Sequence, residues 1–170
     1  TPGGIVAGIA AELIVNGGLG GDTLVVDNAG DSGANTGSLT NTHVMGLEMA
    51  SGIAYDSIEM LDILLGDLVD NFTIVTTFDN TITTLNSGDG ADIIDIEAVN
   101  GPTFVDSGDG ADVVNVTPSA SGPVNSRSPR PLLPSAINAR LTLDGGGAPG
   151  DVDTFTFTTI HTSAQPGTLT

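Results

Sequence analysis

The clearest pattern along this chain is a polar, glycine-rich turn that leads directly into a short run of alternating apolar residues. It is best formed in SGDGADIIDI, residues 87–96, and recurs almost unchanged as SGDGADVVNV, residues 107–116. Alternation with a period of two is typical of a strand with one buried face, which predicts that Ile94 and Ile96 point inward and Asp95 outward. Looser copies are GGLGGDTLVV (17–26), LGDLVDNFTI (65–74) and GGGAPGDVDTFTF (145–157).

The spacing of the copies predicts a stack of coils. The steps from Asp70 to Asp92 and from Asp92 to Asp112 are nearly equal. A regular period of this length is typical of a solenoid, because one repeat cannot bury its apolar face alone and stacks on the next. We therefore expect an all-β fold, a β-solenoid or β-roll-like stack of coils of about 20–22 residues each, in which 113–116 lie above 93–96. An adhesin-type β-sandwich is the alternative, since it also has short strands and frequent turns.

Other intervals and segments extend this interpretation. The interval from Asp22 to Asp70 is a little more than two such periods, which predicts two coils with a loop. The interval from Asp112 to Asp153 is close to two periods, which predicts two more coils. Residues 28–41 are polar and read as a turn-rich connection. In residues 52–65 the apolar positions suit two strands broken near residue 56, and a helix over 57–65 is the competing interpretation.

Two segments of this predicted single domain, residues 1–170, depart from the repeat. Residues 1–15 form an apolar arm that predicts a short helix, a strand or a cap on the first coil. Residues 118–140 contain five prolines and all three basic residues of the chain, which predicts an inserted loop.

The charge balance narrows the classes of function. With 21 acidic and 3 basic residues the net charge is −18, so the chain is expected to repel nucleic acid and anionic membranes and to attract cations. No apolar run is long enough for a transmembrane helix. A hydrophobic content of 39% separates the chain from a disordered acidic tail. Few basic residues with much Asp, Gly, Thr and Asn favour a secreted or cell-surface protein.

The repeated turn resembles the haemolysin-type, or RTX, calcium-binding repeats of secreted bacterial proteins. It is also similar to the β-solenoid modules of large bacterial surface proteins. Gly88, Gly90 and Asp92, followed by apolar residues, carry the resemblance, and residues 108–116 repeat it. The RTX pattern recurs about every nine residues, whereas the period here is more than twice as long, so only one side of each coil carries the motif. The resemblance implies calcium binding at this corner.

Acidic side chains of these turns are predicted to form two columns along the stack. Two carboxylates about 5 Å apart repel by about 1 kcal/mol even at the dielectric constant of water, so the columns require cations or hydrogen bonds. Ca²⁺ suits such oxygen ligands. The competing interpretation is that each aspartate accepts hydrogen bonds from its own turn. The candidate calcium ligands are Asp67, Asp70, Asp89, Asp92, Asp109 and Asp112.

Other candidate sites are sparse. His43 and His161 lack a second ligand at metal-binding spacing and a nearby nucleophile motif, so we expect surface histidines and no catalytic activity. Asn71 and Asn115 begin N-x-Thr sequons and are predicted to point outward, where they could carry glycans.

Two segments are candidate contact surfaces. The arginines of the loop could dock on the acidic turns of a neighbouring molecule, or remain solvated. The apolar arm could pack on the next molecule, or cap its own first coil. The candidate interface residues are Ile5, Val6, Ile9, Leu13, Arg127, Arg130 and Arg140.

Together these features predict a non-enzymatic extracellular structural protein. It would be a β-solenoid subunit or module of a surface filament, adhesin or layer, with copies of itself or neighbouring modules as partners. The alternative is a calcium-binding module attached to a secreted enzyme or carbohydrate-binding protein. A solenoid enzyme acting on polysaccharide is a third option, but aromatic residues, at 4%, are too few to line its usual groove.

Overall fold

The computed structural model describes residues 3–118, 137–147 and 149–158. These residues form thirteen β-strands and no helix. The strands are β1 (Leu13–Asn16), β2 (Thr23–Asp27), β3 (Thr36–Leu39), β4 (His43–Gly46), β5 (Ile53–Asp56), β6 (Met60–Leu64), β7 (Asn71–Ile74), β8 (Ile82–Asn86), β9 (Ile93–Ile96), β10 (Thr103–Asp106), β11 (Val113–Val116), β12 (Leu141–Asp144) and β13 (Thr154–Phe157). None of the described residues forms a helix that could cross a membrane.

The strands form two sheets. Sheet A has the order β1-β5-β4-β3-β7-β9-β11-β13, and sheet B has the order β12-β10-β8-β6-β2. All neighbours are parallel except β4, which pairs antiparallel with β3 and β5. This parallel pairing differs from the antiparallel sheets of an adhesin-type sandwich.

Five strand pairs repeat one arrangement, and we call them coils 1 to 5. Each consists of a sheet B strand, a turn and a sheet A strand. The coils are β2/β3, β6/β7, β8/β9, β10/β11 and β12/β13. The turn inside each coil is named its Asp corner.

The strand register reproduces the spacing predicted from the sequence. In sheet A, Asn71 lies opposite Ile93 and Ile93 lies opposite Val113. The number of residues from one coil to the next therefore equals the interval from Asp70 to Asp92 and then the interval from Asp92 to Asp112. Sheet B keeps these two steps, first from β6 to β8 and then from β8 to β10. The predicted stacking of residues 113–116 on 93–96 is confirmed.

Apolar side chains of both sheets meet between them and form the core. Ile94, Ile96 and Val114 are fully buried, while Asp95 is exposed, so the predicted inward and outward positions are confirmed. Burying one such side chain stabilises the fold by about 1.5–3 kcal/mol. The columns continue through Phe72 and Ile74 of coil 2.

Two predictions drawn from the longer intervals are wrong. β11 pairs directly with β13, with Val113 opposite Thr154, so the interval from Asp112 to Asp153 spans one coil step. The additional residues lie between β11 and β12 in the sequence, and most of the predicted loop, residues 118–140, lies outside the described residues. Asp22 precedes β2 of sheet B and therefore lies at the opposite corner from Asp70.

The competing helices are absent from the described residues. Residues 52–65 contain β5 and β6, so the two predicted strands are confirmed. The arm has no helix before β1 and runs across the first coil. Val6 is buried and its N–H donates to Asn28 Oδ1 at 3.0 Å. Ile9 packs against the core, and its carbonyl accepts the N–H of Ala50 at 3.1 Å.

Candidate functional site

At the Asp corners, an aspartate carboxylate of each coil after the first accepts the backbone N–H of the equivalent residue in the coil before it. Asp70 N–H donates to Asp92 Oδ1, and Asp92 N–H donates to Asp112 Oδ1, both at 2.8 Å. The series begins with Asn35 N–H on Asp70 Oδ1 at 2.7 Å and ends with Asp112 N–H on Asp153 Oδ1 at 3.2 Å. We call these five residues the aspartate ladder. It joins all five coils.

The three central aspartates of the ladder are buried, and the Oδ2 atoms of two of them accept no hydrogen bond among the described residues. Asp70, Asp92 and Asp112 are each 1% exposed. Asp70 Oδ2 accepts the N–H of Gly66 at 3.2 Å, whereas Oδ2 of Asp92 and of Asp112 have no hydrogen-bond partner among the described residues. Burial of a carboxylate that has an unpaired oxygen destabilises its charged form.

The burial of these groups changes their acidity. Burial raises the pKa of the Asp92 carboxyl to about 6, and the nearby charges of Asp112 and Asp70 act in the same direction. The hydrogen bond from Asp70 N–H opposes this effect. Burial also raises the pKa of Asp70 and of Asp112, and the carboxylates of Asp153 and Asp151 face Asp112. The ladder therefore holds protons more tightly than exposed aspartates.

A second set of side chains, outside the six predicted aspartates, caps its own turns. These side chains lie where the sheet B strands end. Gly88 N–H donates to Asn86 Oδ1 at 2.9 Å, and Gly108 N–H donates to Asp106 Oδ1 at 3.1 Å. The ladder differs, because its hydrogen bonds reach the neighbouring coil.

The outer acidic column is exposed to solvent. Asp67, Asp89 and Asp109 are exposed, and Asp89 pairs with Asp109 in a parallel bridge. Across the described ranges, no three His, Cys, Asp or Glu side chains are grouped so that they could hold a metal ion. Calcium binding at the six predicted aspartates stays a prediction.

Two glycines of coil 4 allow the corners to stack closely. Gly108 and Gly110 have φ values of +75° and +142°, which side chains rarely adopt. A Cβ on Gly108 would overlap the carbonyl of Gly88, and one on Gly110 would overlap the carbonyl of Gly90.

The first member of the ladder lies in a region that we predicted to be a turn-rich connection. Residues 28–41 instead contain the Asp corner of coil 1 and β3. The sequence Gly33-Ala34-Asn35 matches residues 90–92, and the buried Leu39 takes the place of Ile96. This copy of the corner does not match the repeat pattern, because it has asparagine where the other copies have aspartate.

The predicted glycosylation sites lie on the outer face of sheet A. Asn71 is exposed at the start of β7. Asn115 is half-buried, and its Nδ2 donates to Asp95 Oδ1 at 2.9 Å. Glycosylation of either residue stays a prediction.

The other predicted residues are dispersed. Arg140 lies over the ring of Phe104, 5.7 Å from its centroid, while Arg127, Arg130 and His161 lie outside the described residues. His43 Nδ1 is 2.8 Å from Thr42 Oγ1, and its Nε2 is 3.7 Å from Glu12 Oε1. Of the arm residues, Ile5 and Leu13 are exposed.

One end of the stack, at coil 5, carries an apolar cleft. β12 and β13 are edge strands of their sheets, so each has a side without a strand neighbour among the described residues. The residues lining the cleft are Val116, Ile137, Leu141, Leu143, Phe155 and Phe157.

Comparisons of the chain with protein-family models, with curated proteins and with solved structures find no match.

Proposed function

We propose that this chain is a β-solenoid module with a structural, non-enzymatic role in an extracellular filament, adhesin or layer. The observation that supports this function is the shared register of the two sheets. Both advance by the same two steps between coils 2, 3 and 4, so each of these coils presents nearly the same surface to the next.

Stacks of this kind extend by repeating one interface. Each coil contacts mainly its neighbours, so stability is roughly a sum over coils and junctions. The edge strands of the last coil can template further pairing. The next coil would come from another copy or from a neighbouring module, and the acidic, apolar-cored composition fits a secreted protein.

Electron microscopy of the purified protein tests this proposal. We expect fibres or rods at high protein concentration, with a fibre-diffraction spacing of about 4.8 Å along the axis, because strands stack in that direction. Monodisperse particles that stay unassembled at millimolar concentration and in screening salt would contradict the assembly role.

A calcium-binding module is the second candidate, and the exposed Asp89–Asp109 pair favours it. The two residues are adjacent in a parallel bridge, where a cation would offset their repulsion.

If calcium binds this column, saturating Ca²⁺ should raise the free energy of unfolding by about 2–3 kcal/mol at a concentration about a hundred times the dissociation constant. The double substitution Asp89→Asn with Asp109→Asn should remove this gain. Asp79→Asn, at an exposed carboxylate outside the column, is the matched control. Isothermal titration with no heat and no change in melting temperature would rule calcium out.

A further inference from the structure

Among the described residues, the open end at coil 5 has no neighbour of the kind that the inner coils have. Val114 and Val116 of coil 4 are 0% and 4% exposed, whereas their register partners Phe155 and Phe157 are 39% and 67% exposed. No described strand pairs with the outer side of β12 or β13. This end therefore exposes apolar side chains next to edge-strand backbone.

The opposite end is partly covered by the chain itself. β4 occupies the outer side of β3 in antiparallel pairing. The arm crosses the same end and buries Val6, whose N–H donates to Asn28. The edge strands at this end are β1 of sheet A and β2 of sheet B, so the two ends of the stack are not equivalent.

The aspartate ladder specifies what chemistry fits the open end. At four successive junctions the following coil supplies the Oδ1 that accepts a ladder N–H, at 2.7–3.2 Å. Asp153 is the last described member, and by the same register its N–H is the next donor. An occupant must therefore bring a carboxylate or carboxamide to this position.

The corner of the occupant must also carry glycine at its position of closest approach. At the junction of coils 4 and 5, a Cβ on Gly146 would overlap the carbonyl of Gly108. Continued stacking at this spacing requires glycine where the next coil passes Gly146, followed by a strand with alternating apolar residues to cover Phe155 and Phe157.

We propose that the open end binds one further coil of this same kind: a sheet B strand, a glycine-rich Asp corner and a sheet A strand, added in parallel register. The inference rests on the proposed function, because it names the partner that extends the stack. Recognition is by strand addition, in which the backbone hydrogen bonds provide affinity and the ladder side chain and apolar positions provide specificity.

The test uses a synthetic peptide of residues 103–116, which contains β10, the Asp corner and β11 of coil 4. The labelled peptide is titrated into the full chain and followed by fluorescence anisotropy, in enough salt to screen the acidic charge of both partners. We expect saturable binding and none by a scrambled peptide. Asp112→Ala in the peptide should weaken binding about tenfold, because the ladder acceptor is lost, while Asp112→Asn should retain it within about twofold.

Substitutions in the full chain locate the binding end. Phe157→Asp should abolish peptide binding, and because this side chain is largely exposed the variant should keep the parent's melting temperature. Leu19→Asp changes an equally apolar but fully exposed residue at the other end, and should bind like the parent.

The proposal is overturned if the parent peptide does not saturate, if the scrambled peptide binds equally, or if folded Phe157→Asp retains binding. Fibres seen by microscopy without peptide binding would overturn this inference alone. Peptide binding by particles that never assemble would instead overturn the proposed assembly and support the open end.

Discussion

Replacing Gly110 with alanine should lower the free energy of unfolding by about 3 kcal/mol or more, enough to unfold the coil 4 and coil 5 end of the stack. Two effects add. A side chain at φ +142° is strained, and its Cβ would overlap the carbonyl of Gly90, a backbone atom that cannot move without shifting coil 3. Denaturant unfolding followed by circular dichroism measures the change.

Gly147→Ala is the matched control for this substitution. Gly147 also lies in an Asp corner, that of coil 5, but a Cβ there meets nothing within 4 Å. Its replacement should change the free energy of unfolding by less than about 0.5 kcal/mol or stabilise the protein slightly. Equal losses at both positions would contradict the close stacking of corners.

Stability should fall as the pH rises from about 4 to 6, because of the buried ladder. The pKa of Asp92 is about 6 in the folded protein, against an ordinary value of 3.8. The folded state therefore holds this proton more tightly than the unfolded state, so its stabilisation is complete below about pH 4 and is lost as the pH passes about 6. The expected loss from Asp92 is about 3 kcal/mol.

Neighbouring groups modify this profile in known directions. Asp70 and Asp112 also have raised pKa values, so they act in the same sense as Asp92. The pKa of Asp31 is lowered by hydrogen bonds, first from the N–H of Gly33, so it stabilises the fold as the pH rises through the acid range. Chemical denaturation at pH 4, 5, 6 and 7 in EDTA measures the combined effect of these groups on the free energy of unfolding.

Asp92→Asn isolates the contribution of the central group. Asparagine keeps an Oδ1 acceptor for Asp70 N–H and carries no titrating charge. The variant should lose most of the pH dependence and be more stable than the parent at pH 7. Asp79→Asn, at an exposed aspartate, should leave the profile unchanged. A parent protein more stable at pH 7 than at pH 4 would contradict the buried, protonated ladder.

The sequence predicted the regular part of the fold because its repeats are nearly identical. The two SGDGAD copies place Ile94 under Val114 by spacing alone, and period-two alternation separates these buried residues from exposed Asp95. Any shift by one residue would reverse inside and outside, so the register was strongly determined.

The irregular part could not be predicted, since it depends on contacts distant in sequence. The turn before Asp22 resembles the others in sequence, yet the strand that follows it, β2, lies in sheet B. The strand before this turn, β1, lies in sheet A. The Asp corner of coil 1 does not match the repeat pattern, because Asn35 replaces the aspartate. The ladder itself was hidden, because an aspartate that accepts the amide of a neighbouring coil has the same local sequence as one that caps its own turn.

The parallel register also gives the stack a mechanical direction. In both sheets the backbone hydrogen bonds between coils run along the stacking axis. Tension applied along that axis is carried through the junctions in series, so extension proceeds by opening the weakest junction first. Shear across the strands is resisted by all the hydrogen bonds of a junction at once. Load along the axis and shear across the strands therefore act on the same set of hydrogen bonds between coils.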